Sequence, residues 1–127
     1  MPSSNKQLIE TQSAPSPVGP YSQAVIAGGW LYCSGQIALD PSTGLMVGGG
    51  NIQEEANQVL KNLQAVLIAA KAKPSDVVRT TIYLKDLRDF EKVNQVYGEF
   101  FGEGISPSRA CVEVAGLPKG ALVEIGC

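Results

Sequence analysis

The feature that most constrains the fold is a long amphipathic segment in the middle of the chain. Between residues 51 and 71 the apolar side chains recur at steps of three, four and one, which places them along one side of a helix. They are Ile52, Ala56, Val59, Leu60, Leu63, Val66, Leu67 and Ala70. Asn51, with Glu54 three residues later, is a suitable N-cap, and Pro74 prevents continuation. The segment predicts a helix that buries this stripe.

The segments on either side of this helix predict strands. Before it, residues 25–27 and 30–34 flank a Gly-Gly turn, and residues 45–47 form a further short apolar run. After it, we predict a strand at 77–84, a second helix at 87–101, and strands at 108–114 and 121–125. The first twenty residues, with three prolines, are typical of a loop. The order predicts an α+β fold, one domain over residues 1–127 with a mixed sheet of about six strands.

Two helices can cover one face of such a sheet but not both. The remaining face is then solvated or is covered by another copy of the chain. Because most soluble assemblies are closed and built from identical chains, we predict a symmetric homo-oligomer.

Composition excludes several kinds of chemistry. The chain has no histidine, so acid–base steps must use carboxylates, Lys, Tyr, Cys or a held water, and histidine-based zinc sites are excluded. We expect neither a metal nor a cofactor. No apolar run approaches the ~20 residues of a membrane helix, and three unpaired cysteines are typical of reduced thiols. We therefore expect a cytoplasmic protein without membrane contact. The net charge of −2 disfavours nucleic acid as a partner.

The last two predicted strands each carry a charged side chain among apolar ones. Arg109 alternates with Ala110 and Val112, and Glu124 lies between two apolar residues. If both strands turn their apolar sides to the helices, Arg109 and Glu124 emerge on the same uncovered face. There, a guanidinium fork could bind an organic carboxylate while the carboxylate acts on a water. An ordinary cross-strand ion pair is the alternative.

Two loops carry further candidates. Tyr21 follows a proline-rich loop, where its hydroxyl either meets a ligand or only caps the edge of the core. Ser34 and Gly35 follow a predicted strand, and the glycine indicates either close approach of a ligand or a β-bulge.

Asn94 and Cys111 are candidates beside these groups. Asn94 adjoins the apolar stripe of the second predicted helix, where a solvated or capping amide is the alternative. Cys111 lies on the same face of its strand as Arg109. Because no histidine is present to lower its pKa, Cys111 is a poor nucleophile, and its backbone N–H is the more useful group.

Taken together, these segments resemble the RidA (YjgF) family over nearly the whole chain. The shared motifs are Gly19-Pro20-Tyr21, Ser34-Gly35-Gln36, Lys85-Asp86-Leu87, Val93-Asn94, Pro107-Ser108-Arg109, Leu117-Pro118-Lys119 and Val123-Glu124-Ile125. The resemblance implies a chorismate-mutase-like α+β fold, two helices on one face of the sheet, and a homotrimer with clefts between subunits.

The resemblance also implies an activity, the cofactor-free hydrolysis of 2-imino acids such as 2-iminobutanoate and 2-iminopropanoate to 2-oxo acids and ammonia. Arg109 would bind the substrate carboxylate and Glu124 would activate water. The residues implied to line the cleft are Tyr21, Ser34, Gly35, Asn94 and the backbone of Cys111.

Two other functions are compatible with the same resemblance. Members of the family have also been described as endoribonucleases acting on single-stranded RNA and as translation inhibitors. A non-catalytic metabolite-binding or chaperone-like trimer would use the same cleft, because a fold does not fix a function.

Overall fold

A computed structural model describes residues 5–102 and 104–127, which contain two α-helices and six strands. In chain order these are β1 (Gln7–Ile9), β2 (Ala24–Ala27), β3 (Trp30–Cys33), α1 (Ile52–Ala69), β4 (Arg79–Leu84), α2 (Phe90–Phe101), β5 (Ser108–Glu113) and β6 (Val123–Gly126). This α+β order agrees with the sequence prediction. None of the helices in these residues is long and apolar enough to cross a membrane.

The six strands form two three-stranded sheets rather than one regular sheet. The first has the antiparallel order β1-β2-β3, and the second has the order β5-β4-β6, in which β4 is parallel to β5 and antiparallel to β6. The two are joined where the chain continues past β3. The amide of Gln36 donates to the carbonyl of Ile125 at 2.9 Å, and the amide of Ile125 donates back to Gln36 at 3.1 Å. The predicted mixed arrangement is therefore present, but with an interrupted join.

Two strand predictions were wrong. Residues 45–47 form no strand, because Met46 makes only a single bridge to Leu39 at the base of a turn. The first strand instead lies in the segment predicted as a loop, where β1 pairs Leu8 with Val25 of β2. A three-residue strand with two exposed positions carries too little alternation to be recognised from sequence.

The first predicted helix is confirmed as α1. The Asn51 side chain accepts a hydrogen bond from the amide of Glu54 at 3.0 Å, as expected of an N-cap. The second helix begins later than predicted, because residues 87–89 form a 3₁₀ turn capped by Asp86. Helix α2 and most of α1 bury their apolar stripes against the second sheet, whereas Val66 near the end of α1 packs against Ile9 and Ala24 of the first sheet. The cluster on the second sheet includes Leu63 of α1, Val93 of α2, Ile82 of β4 and Ile125 of β6.

The opposite face of both sheets carries no helix and is rich in apolar side chains. On this helix-free face lie Leu8, Trp30, Tyr32 and Val112, which are 43–58% exposed. An apolar patch of this kind on a protein surface marks a site of association. That a second copy covers this face stays a prediction.

Candidate active site

Arg109 lies between the start of β5 and helix α2. Arg109 pairs with Thr80 of β4, which is fully buried beneath α2. Because paired residues share a face of the sheet, the Arg109 side chain points to the helix side. The Thr80 hydroxyl lies 2.7 Å from the hydroxyl of Tyr97. The Arg109 guanidinium carbon lies 4.9 Å from the centre of the Tyr97 ring and 5.4 Å from that of Phe90. Two aromatic rings therefore fix the guanidinium by cation–π contact.

Asn94 supplies the only polar side chain bonded to this guanidinium in residues 5–102 and 104–127. The Nη1 atom of Arg109 donates to Oδ1 of Asn94 at 2.6 Å. Both residues line a cavity of about 380 Å³ between α2 and the loop before β5. No carboxylate of the described chain lies within ion-pair distance of Arg109. The remaining N–H donors of the fork are free to bind an anion. We call this the arginine pocket.

The structure places Cys111 beside the arginine pocket and leaves its backbone N–H unpaired by β4. The amides of Ser108 and Val114 donate to the neighbouring segment around β4, at 3.0 and 2.9 Å. Since amides alternate in direction along a strand, the N–H of Cys111 points to the open edge of β5. Burial raises the pKa of the Cys111 thiol, which packs against the core. The backbone donor is thus the group that Cys111 offers.

Glu124 lies in a second pocket with Gly35. It is half-buried on β6, and in the described chain its carboxylate has neither a hydrogen bond nor an ion pair. Burial raises the pKa of Glu124 above its ordinary value. Together with Tyr21, Ser34, Gly35 and other residues it lines a cavity of about 350 Å³. We call this the glutamate pocket.

Hydrogen bonds fix the loop that forms the glutamate pocket. The amide of Cys33 donates to Cys127, and the amide of Gln36 donates to Ile125. Two residues, Ser34 and Gly35, therefore lie opposite the single residue Gly126, and the Ser34 amide donates to Gln23 instead. This is a β-bulge, and Ser34 also donates its hydroxyl to the carbonyl of Ser22 at 2.6 Å. The bulge is therefore present, and the group packed against Gly35 is the side chain of Glu124; close approach of a ligand stays a prediction.

Tyr21 is about half exposed at the rim of the glutamate pocket, and its hydroxyl accepts from the amide of Val18 at 3.3 Å. It does not cap the core. The loop that presents it is anchored by Gln23, which the sequence analysis did not identify. The buried Gln23 amide donates to the carbonyls of Thr11 and Pro15 and accepts from the amide of Thr11 at 2.7 Å.

Sequence reasoning also missed Glu55. This residue is 3% exposed, and its carboxylate accepts the amide of Leu122 at 3.0 Å, two residues before Glu124. Burial, and secondarily the charge of Asp89, raises its pKa. A signal existed, since Glu55 falls three residues after Ile52 within the apolar stripe of α1. A carboxylate there ties α1 to the start of β6 and so positions the strand that carries Glu124.

The prediction that Arg109 and Glu124 emerge on the same face was wrong. Strand β4 lies between their strands, and Arg109 pairs with Thr80 whereas Glu124 pairs with Tyr83. Paired residues share a face, and Thr80 and Tyr83, three positions apart on one strand, point to opposite faces. The error arose because Ala110 and Val112 turn to the helix-free face instead of the helices. The same register excludes a cross-strand ion pair between Arg109 and Glu124.

The chain matches a known protein family over most of its length. The sequence model described as "Endoribonuclease L-PSP" matches residues 11–127. The chain belongs to this family, the RidA (YjgF) family. A Rid-family protein of Yersinia pestis is 47% identical, with a TM-score of 0.93 over 95% of both chains. TdcF of E. coli, solved with bound serine, is 39% identical, with a TM-score of 0.89 over 94% of both chains.

Curated relatives of this RidA-family chain include named deaminases. A RutC family protein of Synechocystis is 54% identical over 121 residues, which is 95% of this chain and 93% of that protein. The human 2-iminobutanoate/2-iminopropanoate deaminase is 47% identical over 120 residues, which is 94% of this chain and 86% of the human protein. Relatives of this kind support an imine deaminase function at the level of the family.

Proposed function

We propose that this chain hydrolyses 2-imino acids, of the 2-iminobutanoate and 2-iminopropanoate type, to 2-oxo acids and ammonia at a site shared by two copies. The observation that carries the proposal is that the guanidinium and the carboxylate lie in separate half-pockets, each without an ionic partner among residues 5–102 and 104–127. Neither half alone provides both an anion-binding fork and a base. The human relative, 47% identical, carries the name of this activity.

Joining the two halves requires a particular symmetry. The arginine pocket lies at the edge of β5 and the glutamate pocket lies on the far side of the sheet, so the two surfaces that meet are different. A contact between different surfaces of identical chains forms a ring when the rotation closes, whereas a two-fold dimer joins a surface to itself. The apolar helix-free face supplies the area for such a ring. These features favour a ring, and the family resemblance makes that ring the homotrimer of the chorismate-mutase-like arrangement.

Each half-pocket has a separate role in the proposed reaction. Arg109, oriented by Asn94 and the two rings, binds the carboxylate of the imino acid through two parallel N–H bonds. The Cys111 N–H offers a further donor at the same strand edge. TdcF was solved with serine bound, and serine carries the same kind of carboxylate. The adjacent imine carbon is then held toward the glutamate pocket of the neighbouring copy.

Hydrolysis needs one water and three proton transfers. Glu124 accepts a proton from a water as its oxygen bonds to the carbon of the protonated imine, giving a tetrahedral amino alcohol. The protonated Glu124 returns this proton to the amine. The C–N bond then breaks and ammonia leaves, while the hydroxyl gives its own proton to the Glu124 carboxylate and becomes the carbonyl of the 2-oxo acid; Glu124 passes that proton to solvent. A protonated imine is already electrophilic, so no covalent nucleophile is required. Its raised pKa makes Glu124 a stronger base than an exposed glutamate.

The family description names a ribonuclease, and we place that activity second. The chain has no histidine for general acid–base cleavage of RNA and a net charge of −2. The arginine pocket is also lined by a single guanidinium rather than a basic groove.

A coupled assay tests the proposal. A pyridoxal-phosphate dehydratase generates 2-iminobutanoate, and the release of 2-oxobutanoate is timed with wild type, Arg109→Ala, Glu124→Gln and Arg88→Ala. Arg88 is an exposed arginine paired with Asp86, so its variant controls for loss of one positive charge. We expect Arg109→Ala and Glu124→Gln each to lose at least ~100-fold in rate and Arg88→Ala to match wild type. Wild type no faster than buffer would show the assignment to be wrong.

A further inference from the structure

Two cysteines face each other where the two sheets join. The backbone amide of Cys33, at the end of β3, donates to the carbonyl of Cys127, directly after β6, at 2.9 Å. Both side chains pack on the helix side against the same apolar cluster. The two thiols lie close enough for each to shift the pKa of the other. Both are free thiols in this structure.

Both cysteines are partly exposed and lie outside the arginine pocket. Cys33 and Cys127 line an apolar cavity of about 600 Å³, bounded by β3, the end of α1 and the start of β4. Cys111, the third cysteine, lies across β4 on the edge strand β5. The cavity gives a small oxidant access to the pair without unfolding the chain.

We propose that Cys33 and Cys127 form a reversible intramolecular disulfide that locks the two sheets together, with a small organic disulfide such as oxidised glutathione as the oxidant. The proposal does not rest on the imine hydrolysis proposed above, although the two cysteines also line a small cavity with Gly35 and Glu124. The bond would close a loop of roughly 95 residues, and a cross-link over a long loop stabilises a fold mainly by restricting the unfolded chain. Where the two sheets join, the disulfide would add a covalent bond to a small number of backbone hydrogen bonds.

The two thiols have different roles in the exchange. The interaction between them lowers the pKa of Cys127 and raises that of Cys33, so Cys127 is the attacking thiolate. Its sulfur attacks one sulfur of oxidised glutathione, and one glutathione leaves as a thiolate. The Cys33 thiol then loses its proton to water and attacks the Cys127 sulfur, which releases the second glutathione. The net reaction oxidises two cysteines and reduces one disulfide to two thiols.

Mass spectrometry of the full chain tests the proposal. Reduced protein is incubated with a graded excess of oxidised over reduced glutathione, quenched with N-ethylmaleimide, and analysed intact and after proteolysis. Apart from one added maleimide, which should lie on Cys111, we expect the oxidised chain to be about 2 Da lighter than the reduced chain. We also expect Cys111→Ser to form the same bond, whereas Cys33→Ser and Cys127→Ser do not. A bond between two chains, a pairing with Cys111, or glutathione retained on either wild-type cysteine overturns the proposal.

A thermal measurement gives a second readout. Oxidised wild type should unfold about 10 °C above the reduced protein, and dithiothreitol should reverse the shift. The melting temperature of Cys33→Ser should not respond to the oxidant. An oxidised wild type that melts no higher than the reduced form would show that the bond does not clamp the native fold.

Discussion

Gly35 packs directly against the carboxylate of Glu124. A Cβ at position 35 would lie 2.9 Å from Cδ of Glu124 and would collide with its Oε2 atom. The backbone of Gly35 is not in the left-handed region, so the contact and not the dihedral angle requires glycine here. The glycine therefore sets the position of the proposed base.

Gly35→Ala should displace the Glu124 carboxylate while leaving the fold intact. Because a shift of about 1 Å in a reacting group lowers rates strongly, we expect kcat/KM for imine hydrolysis to fall roughly 10- to 100-fold. Gly116→Ala is the matched control, since a Cβ there meets no atom within 4 Å and the backbone needs no positive φ. Thermal melting checks both variants. Full activity in Gly35→Ala would show that the reaction does not depend on the position of the Glu124 carboxylate.

Mixing two inactive variants tests whether the site is shared between copies. Arg109→Ala and Glu124→Gln are each expected to be inactive alone. After co-refolding in equal amounts, a site that takes its arginine from one copy and its glutamate from another is intact in about a quarter of cases under random assembly. We therefore expect the mixture to regain about a quarter of wild-type activity per site. A mixture as inactive as its components would contradict the shared site.

The helical parts of this chain were predictable from sequence because their signals are local. The apolar stripe, Asn51 as N-cap and Pro74 as a stop all act within one or two turns, and α1 follows them closely. The strand β4 was also predictable, since Ile82 and Leu84 alternate with partly exposed residues. The arginine pocket was predicted in part, because Asn94 and Arg109 were both candidate residues and are hydrogen-bonded to each other.

The relation between Arg109 and Glu124 was not predictable because it depends on strand order. Alternation fixes which residues of a strand share a face, but not which face meets the helices. For β5, the apolar residues Ala110 and Val112 pointed to the wrong choice. An apolar strand face has the same sequence pattern whether or not the chain's own helices cover it.

The activity should depend on the ionisation of Glu124. The base must be deprotonated, and burial raises its pKa, so kcat/KM should fall as the pH decreases through a value above that of an exposed glutamate. The rate should be measured between about pH 4 and 8, with the uncatalysed hydrolysis subtracted. Glu124→Gln should lack this acid limb. A kcat/KM that stays constant as the pH decreases to the pKa of an exposed glutamate would contradict the assignment of Glu124 as base.

The same pKa predicts an effect of Glu124 on stability. Because the folded pKa lies above the unfolded value, the carboxyl group favours folding when protonated, and this contribution is lost as the pH rises through the folded pKa. Glu124→Gln should therefore resist urea better than wild type at neutral pH, with the difference shrinking in acid. Equal unfolding midpoints at neutral pH would show that the half-buried charge is fully compensated.

Asn94→Asp should impair substrate binding without disturbing the fold. The new carboxylate would lie where Oδ1 now accepts from Arg109 at 2.6 Å, and it would compete with the substrate carboxylate for the same fork. We expect KM to rise roughly 10-fold or more, since hydrogen bonds to charged groups contribute about 1.5–3 kcal/mol, while kcat changes less. Gln95→Glu adds the same charge to the next residue of α2, which meets Gln53 instead of Arg109, and should leave KM near wild type. An equal rise in both variants would mean that the charge acts at long range and that Arg109 does not bind the substrate through this fork.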